Sequence, residues 1–150
     1  MSWYTIRHTC GHEERVQIYG PYCHGERDRK AAWMASKPCA ACELKSDEDR
    51  LGITTDLKGT GKQVAWARKI RIGLIESAIE QCSVVDGNLS STDPRCVAIR
   101  PFWDELKDSA MAELMGKESA AWFIDRRDMT GHDFALRMLK AACAKAGISI

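Results

Sequence analysis

Cys10-Gly11-His12 and Cys39-Ala40-Ala41-Cys42 carry the side chains best suited to chemistry in this chain. A C-x-x-C pair puts two thiols on one turn, close enough to share an ion. Structural zinc takes four nitrogen or sulfur ligands in a tetrahedron. Cys10, His12, Cys39 and Cys42 are therefore the candidate ligands of a structural Zn2+ site. Gly11 lets the backbone fold around the metal. The fourth position is open to competition from His8, Cys23 and His24. His8 and His12 lie four apart, but Thr9-Cys10-Gly11 is not a helical sequence, so a helical two-histidine site is not expected. The C-x-x-C pair lacks the strand–helix context of a thioredoxin-type redox site, and an iron–sulfur cluster asks for more cysteines than this set offers. A site closed by four protein atoms has no position for water, so no catalysis is expected.

Other chemical motifs fail on spacing. Gly59-Thr60-Gly61-Lys62 resembles part of a P-loop, but Asp56 and Gln63 stand where glycine and Ser or Thr are required. His12-Glu13-Glu14-Arg15-Val16 lacks the second histidine of H-E-x-x-H. Asp125, Asp128 and Asp133 interleave with Arg126 and Arg127, which reads as surface ion pairing. Cys82 lies on an apolar stripe and reads as a buried thiol.

A basic run is a candidate binding surface. Lys58, Lys62, Arg68, Lys69 and Arg71 occur with no acid between Asp56 and Glu76, and Trp66 lies among them. Lys62, Trp66, Arg68, Lys69 and Arg71 suit contacts to phosphates and bases, or equally to an acidic protein surface. Arg126 and Arg127, which follow Trp122-Phe123, form a second candidate contact.

The elements that must position these residues are mostly helical. Residues 3–6 and 15–19 read as two strands of a hairpin turning at Cys10-Gly11-His12. Residues 26–36 read as a short helix ended by Pro38. Residues 46–60 read as a polar connector. The pattern Val64, Ala67, Ile70 (or Arg71), Leu74, Ala78, Ile79, Cys82, Val85 predicts a helix over 61–85. Pro94 opens a short turn, and Pro101 restarts the chain into a helix over 102–115. Residues 117–127 resume as helix after Gly116. Thr130 and Asp133 form a capping box that opens a last helix, closed by Gly147. The expected fold is α+β and mostly helical: a zinc-ribbon unit at 1–45 (two-stranded hairpin plus short helix), a linker at 46–60, and an α-helical body at 61–150.

The motifs also resemble a known family. His8-Thr9-Cys10-Gly11-His12, Val16-Gln17-Ile18-Tyr19-Gly20, Glu26-Arg27-Asp28-Arg29-Lys30 and Cys39-x-x-Cys42 are similar to a small zinc-ribbon family found in bacteria and on phages and plasmids. The segment from Thr60 to Arg71 and the segment from Ala120 to Arg127 resemble two stretches that accompany such a ribbon. The chain departs from that pattern with Cys23-His24 in the inter-knuckle loop and with Gly61 where a charged residue is usual. The resemblance implies a phage or mobile-element context and no particular activity.

The 150 residues carry 22 Lys plus Arg against 21 Asp plus Glu, a net charge of +1. This balance disfavours both a DNA mimic and a strongly cationic DNA coat. The N-terminus has no signal-peptide pattern, and no stretch approaches the ~20 apolar residues that span a bilayer. Seven cysteines, an odd number, suit metal ligands and free thiols in a reducing cytoplasm. The expected function is non-catalytic: binding a host protein or nucleoprotein complex, as a defence-system inhibitor of the anti-CRISPR type does. The alternative is a nucleic-acid-binding accessory protein using the basic 58–71 face. Neither a membrane nor a small-molecule substrate is expected.

Overall fold

The computed structural model describes residues 2–21 and 25–149. It shows a two-stranded hairpin followed by helices, an α+β and mostly helical chain. The chain divides into two compact units, residues 1–47 and 48–150.

In the first unit, β1 (Ser2–Arg7) pairs antiparallel with β2 (Glu13–Ile18), Ser2 opposite Ile18 and Arg7 opposite Glu13. Side chains alternate along a strand, so Ile6 and Ile18 turn inward while Trp3 and Thr5 face solvent. Helix α1 (Glu26–Ala35) packs on both strands. Tyr4 donates to Asp28 at 3.0 Å, and Arg27 donates to the Gly20 carbonyl at 2.7 Å and to Ser2 Oγ at 3.1 Å. Ile6 and Ile18 are the only buried apolar side chains among the described residues of this unit. Each contributes about 1.5–3 kcal/mol, too little to order a unit of this size without another source of stability.

Helix α2 (Ala40–Leu51) corrects one expectation. Residues 46–51 belong to it and are not part of an irregular connector, although Ser46, Asp49 and Arg50 are exposed. Glu48 is buried on this helix, and Gly52, at φ 73°, ends it. Ile53 is buried in turn.

The second unit is built on α3 (Gly61–Leu89). Thr60 and Gln63 form a capping box at its start. The helix runs four residues past the expected end because Leu89 is buried, and this outweighs the weak helix propensity of Asp86-Gly87-Asn88. Helix α4 (Pro94–Gly116) is continuous through Pro101, where a break had been expected. Proline removes the hydrogen bond to the Val97 carbonyl. Val97 and Pro101 are both exposed, so water can reach that carbonyl, while Ile99 and Trp103 on the buried side hold the helix together.

Helix α5 (Ala120–Asp125) is shorter than expected. Before it, Lys58 N–H donates to the Glu118 carbonyl at 2.6 Å and Ala120 N–H to the Lys58 carbonyl at 3.0 Å, which pulls that stretch out of helix. Helix α6 (Gly131–Lys145) opens on the expected Thr130–Asp133 capping box. One core cluster gathers Ile75, Ala78, Leu114 and Phe123; a second gathers Cys82, Trp103, Met138 and Cys143.

Candidate metal centre

The β1–β2 turn supplies the first pair of donors. Gly11, at φ 86°, adopts the left-handed backbone that a glycine takes without steric cost. Gly11 N–H donates to the His8 carbonyl and His8 N–H to the His12 carbonyl, both at 2.9 Å. This turn brings Cys10 Sγ to 3.3 Å from His12 Nδ1. The second pair sits at the opening of α2, with Cys39 just before its first residue and Cys42 in its first turn. A helix N-terminus favours negative charge and so supports thiolates here. Cys39 N–H also donates to Cys10 Sγ at 3.4 Å, a link between the two pairs.

The ligand atoms of Cys10, His12, Cys39 and Cys42 all lie within 4.8 Å of one another. Cys39 Sγ and Cys42 Sγ stand 3.6 and 3.2 Å from His12 Nδ1. Zn–S bonds of about 2.3 Å and Zn–N bonds of about 2.0 Å at tetrahedral angles require S···N edges of about 3.6 Å. The three S···N edges therefore differ from that value by no more than a few tenths of an ångström. No disulfide competes for these thiols among the described residues.

The electrostatics fit a cation. Cys10 is drawn down to about 6, first by the Cys39 backbone N–H and then by that of His12. Cys42 is pushed up to about 11, chiefly by its contacts with Cys39 and Cys10. Three sulfurs this close cannot all ionise without positive charge between them. A divalent ion supplies that charge and makes every thiol a thiolate ligand.

His8 has a separate task. It is buried, and its ring is fully engaged. Nδ1–H donates to the carbonyls of Met34 and Lys37 at 3.0 and 3.1 Å, and Nε2–H donates to Glu14 Oε1 at 2.7 Å. Glu14 raises its pKa against the opposing effect of burial. His8 thus ties the hairpin to the segment that leads into Cys39. Cys23 and His24, the other candidates for the fourth ligand, lie outside the described residues.

The basic residues separate into two groups. Lys62, Lys69 and Trp66 are exposed, as are Arg126 and Arg127. The Arg127 guanidinium lies 6.0 Å from the Trp66 ring centroid, and that of Arg126 lies 4.4 Å from Trp122. Arg68 and Arg71 do not belong to an open basic face. Arg68 pairs with Glu48 through Nε at 2.7 Å and Nη2 at 3.1 Å. Arg71 is almost wholly buried, pairs with Glu48 at 2.9 Å and donates to the Thr55 carbonyl at 2.6 Å. Burial pushes the Glu48 carboxyl up, but the two guanidiniums together hold it below its ordinary value.

A small α+β protein with a Cys₃His donor set in its N-terminal unit is what the fold and the site define. No family model matches the chain, and comparisons with curated proteins and with solved structures find no match.

Proposed function

We propose that this is a zinc-stabilised, non-catalytic binding protein of phage or mobile-element type that acts by docking on a host protein complex, as a defence-system inhibitor does. The four-donor cluster, in a unit where Ile6 and Ile18 are the only buried apolar side chains among the described residues, carries this reading. Structural zinc contributes about 10–16 kcal/mol in finger-sized peptides, well above what two isoleucines supply. A metal held by four protein ligands keeps a surface in shape and has no open position for chemistry. No helix among the described residues is long and apolar enough to cross a membrane.

The engagement of Arg68 and Arg71 by Glu48, and of Lys58 by Glu118, favours a protein partner over nucleic acid, since three of the five basic residues of the run are already held in ion pairs within the unit. The nucleic-acid reading keeps one specific support: Lys62 and Lys69 are exposed on the helix that carries Trp66, and Arg127 reaches toward that ring. Basic side chains around an exposed aromatic suit a phosphate backbone and a stacked base.

A tagged pull-down from bacterial lysate, with and without nuclease, separates the two. A stoichiometric protein complex that survives nuclease supports the protein-directed reading and names its target. Recovery that vanishes with nuclease, or falls steeply with salt, overturns it in favour of nucleic acid.

A further inference from the structure

The second unit holds a pocket of about 200 Å³ between α4, α5 and α6. Its floor is apolar, formed by Leu114 and Met138, both buried, with Phe134 beside them. Trp122 forms one wall. The rim is cationic: Arg126, Arg137 and Lys117 line it, against the single acid Glu113. Glu113 is already paired with Lys117 at 3.2 Å. Among the described residues, neither Arg126 nor Arg137 makes an ion pair.

Arg126 is held in place before any ligand arrives. Its guanidinium stacks 4.4 Å from the Trp122 centroid and donates to the Trp122 carbonyl at 3.3 Å. A guanidinium already ordered by stacking loses little entropy on taking an anion, and its fork matches a carboxylate. The space corresponds to about seven waters at ~30 Å³ each, and a ~150 Å³ apolar cavity in an engineered lysozyme is known to take benzene. A one- or two-ring ligand therefore fits, and a nucleotide does not.

We propose that this pocket binds a small aromatic carboxylate, with its ring on the apolar floor of Leu114, Phe134 and Met138 and its carboxylate between Arg126 and Arg137. The pocket is lined by second-unit residues and shares none with the Cys/His donor set.

Calorimetric titration of the full chain with 2-naphthoate, and with the isosteric neutral 2-naphthamide, tests this. The expected result is saturable binding of one naphthoate per chain, with the amide about tenfold weaker or worse because it lacks the charge-assisted contacts. Arg137→Gln, an exposed site where the fold is not at risk, weakens naphthoate by a similar factor and leaves the amide unchanged. In two-dimensional NMR, naphthoate shifts the Trp122 indole and the Met138 methyl first. Absence of saturable binding at millimolar naphthoate, equal binding of acid and amide, an unaffected Arg137→Gln, or shifts centred elsewhere would each overturn the proposal.

Discussion

Glu48 accepts from Arg71 at 2.9 Å, and both side chains are almost completely withdrawn from water. Arg68 donates to the same carboxylate from one turn earlier on α3. Ionised groups out of water are tolerable only while paired, and removing one partner strands the other. Glu48→Gln is therefore expected to destabilise the second unit by about 3–5 kcal/mol. Urea unfolding followed by circular dichroism measures this; a loss under about 1 kcal/mol would mean that water reaches the pair and screens it.

The same pair sets an acid dependence. The folded-state pKa of Glu48 is lowered from its ordinary 4.5. Its stabilisation is then fully present above that value and is lost as pH falls through the lower folded-state value. Melting curves of the wild type should drop more steeply below about pH 4.5 than those of Glu48→Gln, which has no carboxylate there to protonate. Any acid release of the metal is common to both proteins and cancels in the comparison. Parallel pH profiles would contradict the assignment.

Gly131 is required by packing. A Cβ there would lie 2.2 Å from the Ser77 carbonyl carbon, at the point where Gly131 N–H donates to Ser77 Oγ at 3.1 Å. Gly131→Ala must push α6 away from α3 and should cost about 1–3 kcal/mol or more. Gly73, exposed in mid-α3 with open space around its would-be Cβ, supplies the contrast. Gly73→Ala should stabilise by about 0.5–1 kcal/mol. Thermal melts of the two variants should move in opposite directions.

His8→Gln tests the division of labour in the first unit. The variant loses the contacts to Glu14, Met34 and Lys37 and should unfold more readily, yet it should still take up one zinc per chain. Native mass spectrometry reads the stoichiometry. Loss of metal from folded His8→Gln would make His8 a ligand.

How much of this was readable from sequence depends on distance along the chain. The clustering of Cys10, His12, Cys39 and Cys42 was, because Gly11 and the C-x-x-C spacing are local signatures of tight turns that gather donor side chains. The Thr130–Asp133 cap was as well, for the same reason. The Glu48–Arg71 pair was not. Arg71 sits beside Ile70 on a periodic stripe where either residue can point inward, and its partner lies 23 positions away in a segment whose composition resembles linker. The Thr60–Gln63 cap is hidden as well, since Gly59-Thr60-Gly61-Lys62 reads first as a fragment of a P-loop. The pocket beneath Trp122 needed three helices at once, and no periodicity in one helix reveals it.

X-ray absorption at the zinc edge on the purified full chain tests the central claim most directly. A Cys₃His site bound through Cys10, His12, Cys39 and Cys42 requires one zinc per chain, with three sulfurs at about 2.3 Å and one nitrogen at about 2.0 Å. Cys39→Ser should abolish this signature and unfold the hairpin unit. A zinc shell containing water oxygen, fewer than three sulfurs, or a folded first unit that persists after the metal is removed would contradict it.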